Sequence, residues 1–164
     1  MLPSAHAHTT LQRPTHTELF AASAFTEALV ERDYRLGPVV LIVEDEPVCR
    51  SLLSNILSGH TQERAGFVNE GLTLYAQMVP DVVFLDIDLP DGSGLDALKT
   101  IMEHDQMSHV IMITARCTEE NVKRALQLGA KGFLAKPFTV ARVKECLHRW
   151  KDGLIASRKR KVVL

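Results

Sequence analysis

The 164-residue chain is predicted to fold as a doubly wound α/β sandwich, a parallel sheet with helices on both faces. Three observations predict it. Short runs rich in Val, Ile and Leu recur along the chain, as VVLIV, DVVFLDI, HVIMIT and GFLA, and stretches of helical periodicity separate them. Both faces of a parallel sheet are covered, so its strands read as near-continuous apolar runs, and right-handed crossovers fix the winding. A composition of 46% hydrophobic and 24% charged residues suits one buried core, since domains cluster at roughly 100 to 150 residues.

The elements follow in order. Residues 1 to about 16 carry His6, His8 and His16 among Pro, Ser and Thr with no hydrophobic period, so a flexible tail is expected. A helix is predicted over about 17–33, with Thr17 as its N-cap and Arg35, Leu36, Gly37 and Pro38 as its stop. Leu19, Phe20, Phe25, Ala28 and Leu29 give that helix a broad apolar face that needs a surface to bury against. Together these make an N-terminal extension over residues 1–37. Five strands alternating with five helices are expected over 38–153: VVLIV, PVCRSLLSNIL, the weakly patterned QERAGFV, EGLTLYAQMV and DVVFLDI, then LDALKTIMEH, HVIMIT, EENVKRALQL closed by Gly129, GFLA, and a last helix from about Thr139 to Lys151. Residues 154–164, with RKRK at 158–161, are expected to form a solvated basic tail.

Composition narrows the partners. Lys and Arg total 19 against 20 for Asp and Glu, so no overall basic field exists and direct nucleic-acid binding is not expected. Cys49, Cys117 and Cys146 form neither a paired framework nor a metal spacing, which fits a reducing, cytoplasmic setting. No apolar run approaches the roughly 18 residues that span a bilayer, so no membrane segment is expected.

The candidate site lies where the strands end. In LIVEDEP, residues 41–47, charge begins where the first strand stops, with Glu44 and Asp45 at its carboxyl end. Asp86 ends the third strand, and in the flavodoxin-like strand order 2-1-3-4-5 the first and third strands are neighbours. Carboxylates that converge repel one another unless a cation intervenes, and oxygen ligands without His or Cys select a hard ion such as Mg²⁺. An acidic helix N-terminus, with Glu46 before Pro47, is the alternative reading of the same stretch. Thr114 and Lys136 end the fourth and fifth strands and face the same edge, and the Lys136–Pro137 bond is a candidate cis peptide.

VLIVEDEP, DVVFLDIDLPDGSGLDAL, IMITA and GFLAKPF, in this order over residues 39–151, resemble the signature segments of the receiver domain of two-component response regulators. The resemblance implies Asp86 as phosphoacceptor, Glu44 and Asp45 with Asp86 and the Asp88 carbonyl around Mg²⁺, and Lys136 and Thr114 on the phosphoryl oxygens. It implies Thr114 and Phe133 as the switch pair, although an aromatic in Phe133's position also reads as an ordinary core residue. The implied donor is a histidine kinase or histidine phosphotransfer protein, and the implied reader is a downstream protein target. The chain would be a phosphoacceptor that slowly removes its own phosphate, not a turnover enzyme.

Other expectations stay open. An Asp88–Arg116 pair would screen the phosphoryl group from water, while Ala115 is small, as access to Asp86 requires. A stand-alone switch is one expectation for the chain; a receiver fragment of a longer regulator with a DNA-binding output domain is another, and a metal-dependent hydrolase a third. The N-terminal helix is expected either to dock over the receiver's output surface or to pair two chains into a homodimer.

Overall fold

The computed structural model describes residues 14–162, with side chains through residue 153. The main sheet contains β1 (Val39–Val43), β2 (Thr61–Ala65), β3 (Val82–Asp86), β6 (His109–Thr114) and β7 (Gly132–Ala135). All its pairings are parallel and its order is β2-β1-β3-β6-β7, the predicted 2-1-3-4-5 once a short hairpin of β4 (Asp88–Leu89) and β5 (Gly92–Ser93) is set aside. β2, the weakly patterned strand, is an edge strand with one fully buried residue, Ala65, which explains its polar sequence. The crossovers run through α3 (Pro47–Ile56), α4 (Val68–Met78), α5 (Gly94–His104) and α6 (Glu119–Leu128).

Strand alternation divides the core into two layers. Val40, Ile42, Val82, Phe84, Ile111 and Ile113 meet Leu53 and Leu57 of the α3 segment and Val143 and Leu147 of α7 (Val140–Val162). Leu41, Val43, Val83, Leu85, Val110 and Met112 meet α4, α5 and α6. α7 does not stop near Lys151 but continues to Val162, so most of the segment expected as a tail is helical. Its later residues are mainly good helix formers, with Gly153 the one strong interruption.

The N-terminal extension departs from expectation in three ways. The tail expected over residues 1 to about 16 lies, through residue 13 and with His6 and His8, outside the described residues, whereas His16 already opens a helix. Thr15, not Thr17, is the N-cap: its hydroxyl accepts from the Glu18 amide at 3.3 Å, and Glu18 Oε2 accepts from the Thr15 amide at 2.6 Å. This reciprocal box satisfies two free amides, whereas a cap at Thr17 would set Phe20 where the acceptor belongs.

The predicted single helix is two, α1 (His16–Ala21) and α2 (Ser23–Tyr34), separated by extended backbone at Ala22 (ψ 146°). An unbroken helix would turn Phe20 and Phe25 about 140° apart at ~100° per residue. The break aims both inward, with ring centroids 5.0 Å apart edge to face and 5% and 4% exposed.

Finally, the α1–α2 pair docks on α4, not over the α6, β7 and α7 face expected as the output surface. Phe20 packs near Tyr75 and stacks on His104 at 4.5 Å. Arg32 grips buried Asp105 through two bonds of 2.5 and 3.2 Å, and the Tyr75 hydroxyl donates to the same carboxylate at 2.6 Å. Arg35 donates to the carbonyls of Met78 and Val79. Val79 has φ 42°, a left-handed conformation strained for a β-branched residue, so Arg35 braces an α4 terminus that its own sequence disfavours. Phe20, Phe25 and Ala28 are therefore buried within their own chain, while Val30 and Tyr34 of α2 stay exposed.

Candidate functional site

The carboxyl edge of the sheet brings the sequence-predicted residues together. Asp86 ends β3 and is 3% exposed, Glu44 follows β1 and is 0% exposed, and Thr114 ends β6 and is 0% exposed. Lys136 follows β7 and places Nζ 2.6 Å from Asp86 Oδ2 and 2.7 Å from Glu44 Oε2. The Lys136–Pro137 bond is cis. Carboxylate oxygens of Glu44, Asp45 and Asp86 all lie within 4.8 Å of one another, with Asp45 at the exposed mouth.

Backbone donors take the remaining oxygens. The Asp88 amide donates to Asp86 Oδ1 at 3.1 Å and the Glu46 amide to Glu44 Oε1 at 3.1 Å. The loop after Asp86 can turn this tightly because residue 94 is glycine: a Cβ there would stand 1.8 Å from the Asp86 carbonyl oxygen. The Thr114 hydroxyl accepts from the Arg116 amide at 2.9 Å.

One ammonium serves two buried carboxylates. Burial pushes Asp86 above the usual carboxylate range, with the Glu44 charge adding to it, against the pull of Lys136 and the Asp88 amide. Burial acts the same way on Glu44, but Lys136, the Cys49 thiol and the Glu46 amide together hold it below that range. Burial disfavours the Lys136 charge, yet the two acids more than offset this and hold Lys136 above the usual lysine range. The Cys49 thiol, buried beside Glu44, is pushed up to about 12 and is inert as a nucleophile.

The set fits a hard divalent ion. With Lys136 charged, Glu44 and Asp86 leave one negative charge over, and Asp45 adds another. Lys136 approaches Glu44 Oε2 at ion-pair distance but without hydrogen-bond alignment, so this fully buried oxygen has no aligned donor. Oxygen donors with surplus charge are what Mg²⁺ selects.

Two expected residues sit apart from this group. The Asp88 carboxylate turns to the rim and pairs with Arg116 at 2.7 Å, the contact anticipated from sequence. Phe133 lies half-buried on β7, packed against the layer that contains α6.

Sequence reasoning missed Arg50, in the first turn of α3. Its Nη1 donates to the Glu44 carbonyl at 2.6 Å and the Asp45 carbonyl at 3.2 Å. The available signal was a cation where the helix dipole disfavours one. Asp91 was missed too: it caps α4 from the β4–β5 turn through the amides of Val68 (2.7 Å) and Asn69 (3.0 Å), tying the Asp88 loop to that helix.

Among known proteins, the chemotaxis protein CheY of Thermotoga maritima is 36% identical over 117 residues, covering 70% of this chain and 98% of its own length. The signal receiver domain of a LuxO repressor protein from Vibrio parahaemolyticus superposes with a TM-score of 0.67 at 28% identity, over 74% of this chain and 98% of that one. NtrX from Brucella abortus matches with a TM-score of 0.69 at 29% identity, over 78% of this chain but only 29% of its own. No helix among the described residues is long and apolar enough to cross a membrane. The sequence pattern of the response regulator receiver domain matches residues 40–148, and with the parallel sheet and the acid edge in place the chain belongs to that family of two-component signalling domains.

Proposed function

We propose that the chain is a phosphorylation-controlled switch that accepts a phosphoryl group on Asp86 from a histidine kinase or histidine phosphotransfer protein. The observation that carries this reading is the charge imbalance: two buried carboxylates share one ammonium beside a third carboxylate at the mouth. A balanced cluster would have no use for the cation that lets a phosphoryl group approach these carboxylates.

Glu44, Asp45 and Asp86, with the Asp88 carbonyl, would hold Mg²⁺. The bound ion supplies charge neutralisation for the phosphoryl oxygens and lowers the repulsion between donor and acceptor. An Asp86 oxygen forms the new bond to phosphorus while the bond to the donor's imidazole nitrogen breaks, and that nitrogen keeps the electron pair. Lys136, already at Asp86, stays with the acceptor oxygen and pairs with the arriving charge. Thr114 turns from the Arg116 amide to donate its hydroxyl proton to a phosphoryl oxygen, and Phe133 follows into the space released.

Arg116 and Asp88 sit at the rim, so their pair slows the approach of water and with it the loss of phosphate. The docked α1–α2 pair leaves the α6–β7–α7 face to a downstream protein target. Activity is limited to this self-directed transfer and slow hydrolysis.

The test is intact mass after incubation with acetyl phosphate and Mg²⁺. One phosphoryl adduct per chain is expected, absent without Mg²⁺ and absent in Asp86→Asn. Steady turnover of a phosphate ester, or an adduct that persists in Asp86→Asn, would overturn the assignment.

A further inference from the structure

The strand β1 ends in an unusual backbone arrangement. The Glu44 amide still belongs to the sheet, donating to the Ala65 carbonyl of β2 at 3.0 Å. Its carbonyl, and that of Asp45, have left the ladder, because β2 ends at Ala65 and the chain turns into α3. Both turn instead toward one nitrogen, Arg50 Nη1, at 2.6 and 3.2 Å.

Arg50 lies in the first turn of α3, where the helix dipole disfavours a cation, and close to acids expected to hold a divalent cation, which it would repel. On electrostatics alone it is misplaced on both counts. Its hydrogen bonds account for the position. Two consecutive carbonyls held by one guanidinium nitrogen fix two consecutive peptide planes, and these planes set the directions in which the Glu44 and Asp45 side chains leave the backbone.

We infer that Arg50 is a positioning residue for the metal-binding acids, clamping the Glu44–Asp45 backbone so that both carboxylates converge with Asp86 on Mg²⁺. It touches neither the ion nor the phosphoryl group and acts through the two residues that do. The inference rests on the metal reading proposed above.

Charge and position predict opposite signs, which makes the test decisive. If Arg50 were only a nearby cation, Arg50→Met would leave affinity for a divalent ion unchanged or tighten it. If it clamps the backbone, Arg50→Met weakens binding about tenfold, the loss typical when a partner that orients a metal ligand is removed.

Mn²⁺ is the probe, its free fraction read by electron paramagnetic resonance in the 164-residue chain, with Mg²⁺ competition and the metal-free melting temperature recorded in parallel. Weaker Mn²⁺ binding at little-changed melting temperature supports the clamp, and partial recovery in Arg50→Lys, which keeps N–H donors on a shorter arm, supports it further. Equal or tighter binding in Arg50→Met overturns it. Should Arg50→Met fail to fold, Arg50→Lys decides alone: a loss of affinity supports the clamp and wild-type affinity overturns it. Asp45→Asn separates the two levels of the argument. If wild type binds Mn²⁺ and Asp45→Asn does not, the metal reading stands whatever Arg50 does; if wild type does not bind, both fall.

Discussion

Two charged clusters are buried at opposite edges of the same sheet. At the carboxyl edge Glu44 and Asp86 share Lys136, two negative charges against one positive, with Asp45 beside them. At the amino edge Arg32 meets Asp105 alone, one against one, and the Tyr75 hydroxyl takes up the same carboxylate. Burial and the Asp105 charge raise the Tyr75 phenol above its usual range, so it stays a neutral donor. The difference separates a site from a staple. Balanced charge with matched donors holds two segments together, whereas surplus charge kept dry calls for something from solution.

The largest expected effect breaks the staple. Arg32→Met leaves Asp105 buried without its cation, and removing one partner of such a pair costs about 3–5 kcal/mol. Denaturant unfolding measures it, and Mn²⁺ affinity should be unchanged because the two clusters occupy opposite edges. A loss below about 1 kcal/mol would mean that the pair is no more than a surface contact.

The opposite sign is expected at the other edge. Asp86→Asn removes the buried surplus charge, leaving only that of exposed Asp45, while Lys136 keeps Glu44, so the metal-free chain should gain on the order of 1 kcal/mol after solvent screening. Mg²⁺ should then stabilise wild type more than Asp86→Asn. Comparison of denaturation midpoints with Mg²⁺ and with a chelator checks both statements, and a destabilised Asp86→Asn in the chelator would remove the claim of imbalance.

An effect of comparable size, spread over a pH range, belongs to the amino edge, where His109 begins β6. Burial, with Lys131 nearby, lowers it to about 4. As pH falls from about 6.5, the unfolded chain takes up this proton first, so stability declines between there and about 4 and is complete above. The ring is only half buried, and screening reduces the loss to about 1–2 kcal/mol. His109→Asn should flatten the pH dependence of the unfolding midpoint between pH 7 and 4.

Much of the carboxyl edge was legible because its residues are marked locally. Glu44, Asp86, Thr114 and Lys136 each stand where an apolar run stops, and parallel topology brings strand ends together. The amino edge carried no such mark. Asp105 is one acid in an ordinary inter-element loop, and Arg32 one cation on a helix, 73 residues apart in the chain. Likewise nothing local distinguished Ala22 as the break in the extension, since alanine is a good helix former; the break serves Phe20 and Phe25, which both find the α4 face.

What sequence alone determined, then, was the order of strands and helices in the sheet domain, the sheet they build and the residues that meet at its carboxyl edge, because these depend on periodicity and strand ends read over a few residues. Tertiary structure decided which acids share Lys136, where Arg50 and Asp91 reach, and where the N-terminal helix pair docks. Those outcomes depend on distances between segments far apart in the chain, and burial turns an ordinary surface charge into a committed pair only after packing has closed around it.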